Sequence, residues 1–158
     1  MATDESEILN RREWISKMYN NNSYETYRQQ SVMTMTHGEM LTKLYDEVIK
    51  QINSAVRSID EKDIVATNRS LQKAQRILGY LDSTLDMRYQ ISESLTALYE
   101  FFIHQTITAN VSKDASLLAE ILPMIVDLRD AFSQAEKLTR MGQGATVSSN
   151  ATLMSAVG

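Results

Sequence analysis

The chain has 158 residues, with 20 acidic and 16 basic side chains, a net charge of −4 and no cysteine. That is one domain's length, enough to bury a core without disulfide staples. The scattered basic residues exclude the electrostatic footprint of nucleic-acid binding, no apolar run approaches the roughly 18 residues needed for membrane insertion, and the acidic start MATDESE, unlike a secretory signal, reads as cytoplasmic.

One proline and five glycines occur, three of the glycines being Gly142, Gly144 and Gly158. An interior almost free of breakers, with apolar residues recurring at i, i+3, i+4 and i+7 and no sustained alternation, makes this an all-α chain. Asp4 and Glu7 open a short amphipathic helix carrying Ile8, Trp14, Ile15 and Tyr19, and Asn20 to Ser23 break it. Residues 1–22 form an N-terminal extension. From Ser23 to Met35 the sequence SYETYRQQSVMTM lacks proline and glycine and reads as an ordered strap laid over a core. Thr36 and Glu39 then form a T-x-x-E capping box.

Helices are expected at about Gly38–Ile59, Asp63–Leu85, Gln90–Asn110 and Ala115–Leu138, with Pro123 kinking the last by removing a backbone donor. Turns of a few residues between long helices imply antiparallel neighbours, hence an antiparallel up-down four-helix bundle over residues 23–140 with the strap and the short extra N-terminal helix. Residues 141–158, GQGATVSSNATLMSAVG after Met141, are uncharged and lack a periodic face, and are expected to be disordered.

Helical faces differ in width. At about 100° per residue, Leu71, Ala74, Ile77, Leu78, Leu81 and Leu85 cover an arc of about 120°, one seam with solvent behind it. The first long helix spreads its apolar residues over roughly 180°. On the third, Leu98 and Phe101 lie on one flank and Ile103 and Ile107 on the other. Such surplus either packs beneath the strap and the short first helix or forms grooves for a partner's amphipathic segments. Met33, Met35 and Met40 cluster near the strap, where a thioether repacks against varied side chains.

Enzyme chemistry lacks its parts, and no metal or cofactor site is expected. A di-iron bundle needs two E-x-x-H motifs, yet neither His37 nor His104 sits three residues after a glutamate. Glu100 and His104 form one i, i+4 pair, which is a helix-surface contact. A phosphotransfer role for His104 lacks the neighbouring lysine and glycine, and there is no glycine-rich phosphate loop.

The core Q-x-V-x-T-x-T-x-G-E-x-L-x-x-L-Y-D within Tyr24 to Asp46 resembles the opening of the flagellin export chaperone family of FliS type. SLQKAQRILGYLDSTLD from Ser70, SLTALYEFFIHQTITAN from Ser94 and KDASLLAEILPMIVDLRDAF from Lys113 resemble its second, third and fourth long helices in order. The likeness runs from Tyr24 to about Phe132. His37 stands where that family commonly has proline, Thr106 replaces a leucine, Phe132 a tryptophan, and the glycine pair between the second and third helices is absent. Residues 1–22 lie outside the resemblance.

It implies a cytoplasmic chaperone that binds the disordered C-terminal segment of flagellin, prevents premature polymerisation and delivers the client to the flagellar type III export gate. The expected client surface is Tyr24, Tyr27 and Gln30 in the strap, Leu41, Leu44, Tyr45 and Val48 on the first long helix, and Leu98, Tyr99 and Phe102 on the third. The N-terminal helix is expected to fold over the groove when no client is present, hinging at Asn20 to Asn22. The alternative is a structural adaptor that homodimerises through its wide apolar faces, weak self-association being the related expectation.

Overall fold

Asp63 and Asp114 are the two aspartates that start helices here, and the pattern of helix ends sets the whole architecture. The computed structural model describes residues 35–142 and 155–157. Within it, α1 spans His37–Asp60, α2 Ile64–Ser83, α3 Gln90–Ser112 and α4 Ala115–Arg140, all inside one compact unit, His37–Gly158. No strand occurs among the described residues. The short N-terminal helix, the strap with Tyr24, Tyr27 and Gln30, and the lid expected of residues 1–22 lie outside the described residues.

Each junction is chemically specified. After α1, Lys62 adopts a left-handed φ of 58°, and the Asp63 N–H returns to the Ser58 carbonyl at 2.8 Å. The Asp63 carboxylate then caps α2 by accepting from the Ala66 N–H at 3.0 Å. Lys113 ends α3 with φ 54°, and Asp114 caps α4 through the Ser116 N–H at 2.9 Å. Lys137 and Arg140 occupy the last turn of α4, where cations complement exposed carbonyls.

Cross-helix contacts establish the directions. Glu47 meets Lys73 and Ser54 meets Ser70, so positions rise on α1 as they fall on α2. Asp82 meets Thr96 and Asn68 meets Lys113, which makes α2 and α3 antiparallel. Asp46 pairs with Arg129 and Glu39 with Arg140, so α1 and α4 are antiparallel as well. The bundle is therefore up-down, with α1 and α3 on one diagonal. At one end Gly38 is buried against α4, where an added Cβ would approach the Glu136 Cβ to 2.9 Å. Only glycine allows the two helices this approach.

Leu41, Tyr45, Val48 and Ile52 of α1, Leu71, Leu78 and Leu81 of α2, Leu95, Tyr99 and Phe102 of α3, and Leu118, Ile121, Ile125 and Phe132 of α4 make one cluster, each at most 3% exposed. Thr106, where the family resemblance leads to leucine, is also buried. Its hydroxyl donates to the Ile103 carbonyl at 2.7 Å, which removes the cost of an unpartnered polar group.

One expectation is corrected. The tail is not uniformly without structure, since Ala156 and Val157 are buried, Val157 within the core cluster; residues 143–154 lie outside the described residues. Helix α4 runs through Pro123, as its expected span of Ala115–Leu138 requires, and ends at Arg140. Both Pro123 and Ala119, whose carbonyl the missing N–H would have served, are exposed, so that carbonyl is open to solvent and needs no protein donor.

Candidate partner-binding surface

The residues expected to meet a client separate into two groups. Leu41, Tyr45, Val48, Tyr99 and Phe102 point inward and are 0–3% exposed, so in this conformation they hold helices together and present no side chain to a partner. Leu44 and Leu98 are half-buried and pack on the core's edge. Burial divides them this way because α1 and α3 are apolar over arcs wider than the centre of a bundle can absorb.

Tyr45 and Tyr99 show why two polar tips can sit at the centre. Their hydroxyls hydrogen-bond to each other, and no buried side-chain nitrogen or oxygen among the described residues lacks a partner. Burial pushes both phenols up, Tyr99 to about 12, the negative charge of Asp82 adding to the effect on Tyr99. Both remain neutral at physiological pH.

On α3 the inward face is Ser92, Leu95, Tyr99, Phe102, Thr106 and Ala109. What remains apolar forms two flanks. Gln105 Nε2 donates to Glu120 of α4 at 3.1 Å, so the flank shared by Gln105, Leu98 and Phe101 borders α4. Thr96 reaches Asp82 and Lys113 reaches Asn68, so the flank of Ile103, Ile107 and Val111 borders α2. Phe101 is 36% exposed, Ile107 47% and Val111 83%.

Of the adjacent helix pairs, α3 and α4 pack least intimately. Across that seam, helical spacing places half-buried Leu117, Met124 and Leu128 of α4 on the side of Glu120, opposite Leu98 and Phe101. Half-buried apolar side chains thus line the α3–α4 seam, with Phe101 exposed beside it and the Gln105–Glu120 hydrogen bond crossing it. Phe101 and the α4 residues were absent from the expected surface; the flank position of Phe101 was legible from its spacing to Leu98, whereas the loose pairing of α3 with α4 has no signature in one helix's sequence.

Elsewhere, a pocket of about 340 Å³ lined by Ser58, Ile59, Lys62, Thr67 and Lys113 lies at the bundle end opposite Gly38. No group of His, Asp or Glu among the described residues could hold a metal ion, and none of the described helices is long and apolar enough to cross a membrane.

Comparison with known proteins places this geometry. The sequence profile described as "Flagellar protein FliS" matches residues 20–139. The flagellar secretion chaperone FliS of Bacillus subtilis (strain 168) is 36% identical over 126 residues, covering 78% of this chain and 95% of the relative. Its counterpart from Salmonella typhimurium (strain LT2) is 26% identical over 124 residues, covering 74% and 92%. A solved structure titled "Crystal structure of flagellar chaperone from bacteria" has the same fold, with a TM-score of 0.61 at 20% identity over 75% of this chain and 98% of the other. With the profile spanning every helix of the bundle and a relative matched over nearly its full length, the chain belongs to the FliS family of flagellar secretion chaperones.

Proposed function

We propose that this chain binds the disordered C-terminal segment of a flagellin in the cytoplasm, keeps it from polymerising prematurely, and hands it to the flagellar type III export gate. The observation that supports this reading is the apolar α3–α4 seam, which we take as a trough for the client, in a chain whose relatives are named flagellar secretion chaperones. The role is one of binding, without catalysis.

Filament subunits self-associate through apolar terminal segments, so an escort must cover those segments on a rigid surface. Helix α3 is about 35 Å long at 1.5 Å per residue, enough for a client helix of roughly 20 residues. Burial stabilises by about 25 cal/mol per Å² of apolar area, while ordering a disordered client costs several kcal/mol. Tight binding therefore needs a client lying along the trough. In this reading Leu98 and Phe101 meet the client directly, and Leu41, Tyr45, Val48, Tyr99 and Phe102 keep the trough's walls in place. Tyr24, Tyr27 and Gln30 of the strap complete the contact on the strength of the family resemblance.

The test is titration of a labelled flagellin C-terminal peptide, followed by fluorescence anisotropy and by size-exclusion chromatography with light scattering. Saturable one-to-one binding supports the reading. Absence of binding, or a homodimer that the peptide leaves unchanged, favours the structural adaptor instead.

A further inference from the structure

The chain's own last residues fill a slot at the bundle end where α1 begins. Ala156 and Val157 are 0% and 2% exposed. The backbone is helical at Ser155 and Ala156 and turns at Val157, so the carbonyls at this helix end lack intrahelical donors.

Two donors from the bundle meet those carbonyls. The Asp86 N–H donates to the Ala156 carbonyl at 2.8 Å, and His37 Nε2 stands 2.6 Å from the Val157 carbonyl. A carbonyl only accepts, so His37 carries its proton on Nε2 in this contact. Both donors are fixed by the fold. His37 is the first residue of α1, and the Asp86 carbonyl is itself held by the Ser92 hydroxyl at 2.6 Å.

The slot thus recognises two features together: small apolar side chains, which it buries completely, and the unserved carbonyls of a helical C-terminal turn, which it caps. Nothing in that recognition is specific to this chain's own tail. The tail from Met141 to Gly158 has no charged side chain. Being covalently attached, it needs less intrinsic affinity to fill the slot than a free ligand would. Asp86, whose N–H meets the Ala156 carbonyl, lies just before α3, so the slot sits at the head of the helix that lines the proposed trough.

We infer that this slot is a socket for the C-terminal turn of a small-residue apolar helix, filled by Ser155–Val157 in the free protein and taken over by the client's C-terminal turn in the complex. The takeover rests on the function proposed above; the socket does not.

The experiment compares the full chain with Val157→Asp, and with His37→Ala as a lesion that adds no charge. Amide hydrogen exchange at Asp86 reports on the socket, and anisotropy of a labelled flagellin C-terminal peptide reports on the client. Val157→Asp is expected to speed Asp86 exchange at least tenfold with helicity unchanged, and a free peptide of residues 151–158 to restore protection. Flagellin peptide is expected to bind Val157→Asp at least threefold more tightly than the native chain. His37→Ala should shift both readings in the same direction by less, and decides the matter should Val157→Asp unfold. Unaltered Asp86 exchange, or no protection by the free peptide, overturns the socket. Equal client affinity for native and variant chains overturns the takeover. Should the flagellin peptide bind neither chain, the proposed function and the takeover both fall, while protection by the 151–158 peptide still upholds the socket.

Discussion

The Tyr45 hydroxyl is hydrogen-bonded to the Tyr99 hydroxyl across the bundle's diagonal, from α1 to α3, and the Tyr45 ring stacks on Phe132 of α4 at a centroid distance of 5.4 Å and 23° between planes. Three helices are thereby joined at one point inside the core. Each hydroxyl is the other's polar partner, so the pair is stable only as a pair. Tyr45→Phe or Tyr99→Phe alone leaves a buried hydroxyl unserved and is expected to cost about 1–3 kcal/mol in urea unfolding. The double variant is expected to cost less than the sum, because it removes both hydroxyls from an apolar site. Tyr45→Asp buries a charge instead and should unfold the bundle outright, visible as loss of the helical circular dichroism signal.

The same pair sets a limit on alkaline stability. Burial raises both phenols, Tyr99 to about 12, against an ordinary value of 10 in the unfolded chain. Because the folded form resists ionisation, its full stability is present below pH 10. As pH rises from 10 towards 12 the unfolded chain loses phenol protons that the folded chain keeps, and stability falls. Urea midpoints measured between pH 8 and pH 12 should decline above pH 10 in the native chain. The Tyr45→Phe, Tyr99→Phe double variant should decline less.

These tyrosines also show what the sequence could and could not convey. Helix limits were legible because their signals are local: a lack of internal breakers, and short connections that force antiparallel order. That Asp63 and Asp114 cap two of the helices came from the structure. The choice between core and client surface was not. An inward tyrosine and a groove tyrosine occupy the same apolar stripe, and only the partner across the diagonal, distant in sequence, assigns Tyr45 to the interior. Phe101 was placed correctly on a flank by spacing, but that the flank borders the loosest helix pair depends on α4. Val157 gave no signal, since three small residues make no periodic pattern.

Left-handed backbone at two lysines yields a contrast. Lys62 and Lys113 have φ of 58° and 54°, a conformation that costs a non-glycine residue roughly 1 kcal/mol. Lys62 is exposed, so Lys62→Gly should raise stability by about 0.5–1 kcal/mol. Lys113 offsets its backbone cost through its ammonium, which donates to Asn68 of α2 at 2.6 Å and Asn110 of α3 at 2.7 Å. Lys113→Gly is therefore expected to give no net gain, and Lys113→Ala, which keeps the strain and loses both bonds, to be destabilising. Thermal melts of the three variants make the comparison.

The two apolar flanks of α3 make opposite predictions for the client. Phe101 borders α4 and is 36% exposed, so an aspartate there reaches water in the free chain. Under a client it would be enclosed with Leu98 and the half-buried Met124 and Leu128, where an unpaired carboxylate is strongly disfavoured. Phe101→Asp should weaken the flagellin peptide at least a hundredfold while leaving helicity and the urea midpoint close to native. Val111 is 83% exposed on the flank bordering α2, outside the trough. Val111→Asp should leave affinity within about twofold, since an exposed charge loses little solvation there. The reverse ranking would move the client to the α2 side, and equal losses would mean that it wraps both flanks. Anisotropy titrations with one labelled peptide, read beside the circular dichroism of each variant, distinguish these outcomes.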